Sequence, residues 1–184
     1  MSESKCLLSK ESIEVLKKCE GKTIINVGSK DEHKKGCALW TLSIAFDDDA
    51  VFEASICPRI IKLLGRDESV SGLDCKIVTK KDKYMQAIEP FMIKSIEVCT
   101  DEIYSMDLEL GNDIVALDSG VTFHGDNGKK ISFTIGKEYY DDDWIDFGVN
   151  KAIGEMRSVA AVAEAWGDGV DGHKVTVERS KRRL

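Results

Sequence analysis

Apolar and polar residues alternate with a period of two through much of residues 102–136. Tyr104, Met106, Leu108 and Leu110 alternate with Ser105, Asp107 and Glu109, which predicts a strand with one dry and one wet face. The Gly111-Asn112 pair that follows suits a tight turn. Residues 114–117 and 121–123 are two further apolar runs. Asn127-Gly128, two residues that tolerate positive φ, marks a hairpin turn, and Ile131, Phe133 and Ile135 resume the alternation beyond it. Three or four adjacent antiparallel strands are expected here.

The same pattern recurs upstream. Trp40, Leu42, Ile44 and Phe46 alternate with Thr41 and Ser43, Asp47-Asp48-Asp49 interrupts, and Ala50, Phe52, Ala54 and Ile56 resume. This predicts a hairpin with an acidic tip. Pro58 is expected to end its second strand, with residues 59–65 a helical turn or irregular connection and 67–72 a loop by composition. Shorter strands are expected over 24–27, 75–79, 91–99 and 174–177. Ser9 is placed to cap a helix over 10–20 that stops at Gly21. Ile153, Met156, Ala160, Ala163 and Trp166 fit one helix face, with a strand over 158–166 as the competing reading. Residues 180–184 read as a frayed basic tail.

Together these elements predict an α+β fold. It is mainly an antiparallel β-sheet of hairpins and meanders, about seven to ten strands, with an N-terminal helix and one helix in the C-terminal half. A single domain over residues 1–184 is expected, with Leu42, Ile44, Phe46, Met106, Leu108, Phe133 and Ile135 in one core.

Composition narrows the function classes. With 42% hydrophobic and 32% charged residues the chain is suited to a folded, water-soluble domain. It has no apolar run of membrane-spanning length and no basic segment leading into an apolar one at its start, so a cytoplasmic, membrane-free protein is expected. Cys6, Cys19, Cys37, Cys57, Cys75 and Cys99 are widely dispersed, with no Cys-x-x-Cys spacing. They read as reduced structural thiols. A net charge of -7 disfavours nucleic acid and suits a basic protein partner.

Motifs with chemistry are scarce. His33, His124 and His173 have no neighbour at metal-ligand spacing. The Asp168–Gly172 stretch, with Gly169, Val170 and Asp171 between, lacks the oxygen positions of a calcium loop. No nucleophile elbow, P-loop or dinucleotide fingerprint is present. No catalytic residue, metal ligand or cofactor is therefore assigned, and an enzyme is the less favoured reading.

One constellation stands apart. Residues 139–147 hold Tyr139, Tyr140, Asp141, Asp142, Asp143, Trp144 and Asp146, joining the large aromatics favoured at protein interfaces to carboxylates. The competing structural reading makes Trp144, Ile145 and Phe147 core anchors with the aspartates on their wet side. With Asp47, Asp48 and Asp49 these residues form the candidate partner-binding set. The general make-up resembles that of small bacterial immunity proteins, which bind and neutralise a toxin. The resemblance is one of class, carried by acidity, size and the lack of catalytic motifs, and it transfers no functional residues. It implies an inhibitor of a basic partner, a toxin domain being the first candidate, with oligomeric state open. Two alternatives stay open: a ligand-binding or enzymatic module using the interior of a curved antiparallel sheet, and a self-assembling structural or adaptor subunit. A large apolar pocket would favour the first and an exposed pairing edge the second. A shallow acidic surface with exposed aromatics would favour the inhibitor.

Overall fold

The computed structural model of the chain describes residues 2–29, 40–79, 85–107, 111–136, 143–169 and 172–184. These form strands β1 (Ser2–Cys6), β2 (Thr23–Gly28), β3 (Thr41–Phe46), β4 (Val51–Leu63), β5 (Arg66–Val78), β6 (Gln86–Asp107), β7 (Gly111–Gly125), β8 (Lys130–Gly136), β9 (Trp144–Val149) and β10 (Lys174–Arg183). The helices are α1 (Lys10–Lys17), α2 (Ile153–Met156) and α3 (Val159–Ala165). All ten strands share one sheet, ordered β5-β4-β3-β2-β6-β7-β8-β9, with β10 added to β6 and β1 to β7. Only the β1–β7 pairing is parallel. The chain is thus a mainly antiparallel α+β protein, as its alternation predicts.

Local chemistry sets the turns. The Asp47-Asp48-Asp49 and Asp126-Asn127-Gly128 turns share one plan: Asp49 (φ 63) and Gly128 (φ 80) are left-handed. Behind them Phe46 N–H donates to Ala50 O (2.9 Å) and Gly125 N–H to Lys129 O (2.7 Å). This is a three-residue hairpin loop ending in a bulge. Ser9 caps α1 as expected, accepting from Ser12 N–H at 3.0 Å.

The β3–β4 hairpin curls over β7 and β8. Phe52 of β4 meets Phe123 of β7 edge-on, with centroids 5.4 Å apart, and Phe133 of β8 at 5.8 Å. Leu42, Ile44, Phe46, Phe133 and Ile135 are all buried in this core, as expected.

Several expectations are corrected. Pro58 does not end its strand, because β4 runs on to Leu63. Ile56 N–H points toward β3, donating to Trp40 O. The position two residues on faces the same side, where β3 has ended, so no ladder bond is lost to the proline. Residues 59–63 and 67–72 are accordingly strand, paired from Arg59↔Val70 to Leu63↔Arg66. The connection is a two-residue turn, with Leu64 at φ 50 and Gly65 at φ 76. The left-handed Leu64 is held by its N–H donating to Asp113 Oδ2 at 2.6 Å. Gly111 and Asn112 are not a turn but lie in β7, opposite Asp107 and Met106. The first residues form β1, which was not expected. The single C-terminal-half helix is two short ones, split at Arg157, which is extended at φ −141 and donates from Nη1 to Ile135 O at 2.9 Å. Leu108 and Leu110 lie outside the described residues.

The dry face of β6 is also reversed. Ile96 and Val98 are buried, but further along the buried residues are Asp101, Ile103 and Ser105, while Glu102 is exposed and Tyr104 and Met106 are half-buried. The β6–β10 register is unbroken from residue 97 to 106. The strand therefore presents one face to the core at one end and the opposite face at the other. Met106 is not a core residue.

The basic tail is not frayed. Residues 180–183 continue β10, and Arg179 and Arg182 of that strand enclose two buried carboxylates. Arg179 forks onto Asp101, Nε to Oδ1 at 2.6 Å and Nη2 to Oδ2 at 2.8 Å, and Asp101 is fully buried. Arg182 forks onto Asp118 at 2.7 and 2.5 Å. Asp118 also accepts from Leu8 N–H at 2.9 Å and Thr100 Oγ1 at 2.7 Å. Removing one partner of such a pair leaves a charge stranded in a low-dielectric interior. Arg179→Ala should therefore cost roughly 3–5 kcal/mol in urea unfolding. Lys181→Ala, on the same strand but breaking the exposed pair with Glu97, should cost under about 1 kcal/mol. Equal losses would show that Asp101 is not shielded from water.

Candidate functional site

The acidic tip between β3 and β4 is held by its own side chains. Asp48 Oδ1 accepts from Ala50 N–H at 3.2 Å, and its other oxygen pairs with Lys22 Nζ. The Lys22 hydrogen bond holds the Asp48 carboxyl below its usual range. The Lys22 ammonium also sits 5.5 Å from the centroid of the Phe46 ring. Asp47, Asp48 and Asp49 are all exposed.

The second candidate segment divides. Tyr139, Tyr140, Asp141 and Asp142 lie outside the described residues. Asp143 is half-buried, and its Oδ2 accepts from Ser71 Oγ of β5, while Oδ1 is buried and has no hydrogen-bond partner among the described residues. Trp144 is half-buried across Gly136, where a Cβ would lie 2.3 Å from the indole Cε2. Glycine is the residue that lets the ring rest on the strand. Ile145 is in the core, Phe147 packs against it, and Asp146 is half-buried opposite Thr134. Asp143 does not meet the Asp47–Asp49 tip. The tip joins β4 at Val51, whereas Ser71, which holds Asp143, pairs with Pro58, roughly 20 Å further along the strand at the usual rise per residue.

Two exposed apolar residues escaped the sequence reading. Trp40 is 51% exposed and Ile60 69% exposed. Trp40 lies beside Ile56, and Ile56, Pro58 and Ile60 share one face of β4 by alternation. Asp143, bound to the Ser71 opposite Pro58, borders this strip. Trp40 was legible as the first apolar position of a core strand. Its exposure depends on how far β4 outruns β3, which no local signal gives.

Beneath the strip is a small polar cavity lined by Ser71, Asp101, Ser119, Asp143, Arg157 and Trp166, among others. Its volume is about 20 Å³, room for one water. Burial lowers the Arg157 pKa, countered by Asp101. The carboxylate of Asp101 is already engaged by Arg179. The cavity is too small for an organic substrate.

His173 Nε2 is 2.6 Å from Ser105 Oγ, and His124 Nε2 is 4.0 Å from Glu97. His33 lies outside the described residues. Among the described residues no group of three or more His, Cys, Asp or Glu is arranged to hold a metal ion. No helix among them is long and apolar enough to cross a membrane. Cys6, Cys19, Cys57, Cys75 and Cys99 are free thiols, and Cys37 lies outside the described residues.

Burial pushes the Cys6 thiol up to about 11 and that of Cys19 to about 12, with Cys75 higher still. Alkylation proceeds through the thiolate. Iodoacetamide at pH 8 should therefore label the half-buried Cys57 first, and Cys19 and Cys75 only after unfolding in urea, as read by peptide mass spectrometry. Labelling of native Cys75 at the rate of Cys57 would put it at the surface.

Compared with protein-family models, with curated proteins and with solved structures, the chain matches none.

Proposed function

We propose that the protein binds a basic partner protein and blocks it without catalysis, in the manner of a toxin-neutralising immunity protein. The observation that carries this reading is the exposed Trp40 and Ile60 strip bordered by Asp143. Large exposed apolar side chains beside carboxylates are what an interface for a cationic protein requires. The net charge of -7 adds long-range attraction, and the exposed tip at Asp47, Asp48 and Asp49 is a second acidic group, separate from the strip. The reading as a ligand-binding module has less support. The space between the curled wings is filled by Phe52, Phe123 and Phe133, and the polar cavity holds about 20 Å³.

The first partner to test is the protein encoded by the adjacent open reading frame. In stopped-flow measurements, raising salt from 50 to 500 mM should slow association about tenfold or more and change dissociation far less. Trp40→Ala should weaken binding by about 2 kcal/mol or more, the hot-spot threshold, with the fold retained. Replacing Asp47, Asp48 and Asp49 together with Ser should reduce the association rate with little change in stability. If affinity survives both changes at low salt, this surface is not the binding site.

A further inference from the structure

Beyond residue 100 one face of the sheet, over which no described element packs, spans four strands, β10, β6, β7 and β1. On it Glu178 stands opposite Glu102, and Tyr104 opposite Ile114, with Met106 next along β6. Glu102 and Glu178 are exposed, and Tyr104, Met106 and Ile114 are half-buried. No described element packs over them, since α3 and the tip of the β4–β5 hairpin lie against the other face, near Leu117 and Asp113.

Two features set this face apart from the core. Its centre is apolar and aromatic, yet it points away from the core. Its carboxylates at 102 and 178 are direct cross-strand neighbours, an arrangement that destabilises a sheet through like-charge repulsion. Among the described residues neither forms an ion pair. Glu102 accepts from the Tyr104 hydroxyl at 3.0 Å, and the nearby Lys5 is paired with Glu3 at 2.9 Å. That hydrogen bond pushes the Tyr104 phenol pKa up, with the charge of Glu178 adding to the effect.

We infer that this face is the seat for an arginine or lysine side chain of the basic partner, lying over the Tyr104 ring and between the Glu102 and Glu178 carboxylates. The inference rests on the partner-binding reading and adds a second contact surface to it. An aromatic face attracts a cation, and two carboxylates give a guanidinium fork both of its acceptors. Met106 and Ile114 take the aliphatic stem of the incoming side chain. The like-charge pair is then relieved only when the partner is bound.

The test uses a hexa-arginine peptide as probe and isotope-labelled full-length protein, followed by amide NMR shifts. Saturable shifts are expected at residues 102–106, 114–116 and 176–178, with none from a hexaserine peptide. Tyr104→Ala, and separately Glu102→Gln with Glu178→Gln, should each weaken peptide binding at least about threefold, the scale of an exposed cation–π or charge contact. Glu178→Gln should also raise the melting temperature, because it removes the repulsion. This second readout needs no ligand, and a fall would overturn the repulsion premise. Shifts confined to residues 47–49 and the Asp143 region would overturn this surface while leaving the partner-binding reading intact. Saturable shifts nowhere would count against both.

Discussion

The fold depends on keeping two carboxylates, Asp101 and Asp118, out of water. They sit where the buried side of β6 changes from one face to the other, so each lies in an interior that the other does not share. An isolated carboxylate there would cost several kcal/mol. Both are neutralised by arginines of β10, from 78 and 64 residues away in sequence. Asp118 also gathers Leu8 and Thr100, so one side chain joins β10, β6, β7 and the segment after β1. The long hairpin of β6 and β7 is therefore incomplete until β10 has docked, and contacts this distant in sequence form late and slowly in folding.

Much of the architecture was legible from alternation and turns. The acidic β3–β4 hairpin, the Asn127-Gly128 turn and the α1 cap are each fixed by a few adjacent residues. What could not be read depends on distant partners. Arg182 read as part of a frayed tail because the acid it engages, Asp118, lies 64 residues upstream. The polar residues Glu68, Ser69 and Ser71 read as a loop, yet they form a strand because β4 beside them supplies the ladder. Alternation in β6 correctly marked a strand but could not say which face is inside. Ile103 and Val175, neighbours on the buried face, outweigh Tyr104 and Met106.

The candidate site was legible in kind more than in place. The carboxylates of the Asp47 tip are exposed, as a hairpin end requires. In the second segment, Asp143 turns toward Ser71 and Trp144 lies on Gly136, both partners being distant or glycine and so silent in a local reading. Trp40 opens an alternation that promises burial, and Ile60 lies past Pro58, where the strand was expected to have ended. Exposure follows from where neighbouring strands stop, a property of the assembled sheet.

Pro58 has a consequence for how this molecule meets others. Between Trp40 and Lys62, whose carbonyl accepts from Ser4 Oγ of β1, the outer edge of β4 is paired with no described strand, and an unpaired edge invites a strand from another chain. At Pro58 that edge lacks the amide donor an added strand would need, and Arg59 and Lys62 stand close by in the same strand. The edge is closed to templated aggregation just where Ile60 and Trp40 expose apolar surface. A protein that docks there is met by side chains rather than by backbone, so its fit is judged on shape and charge and not on a generic capacity to form β-structure.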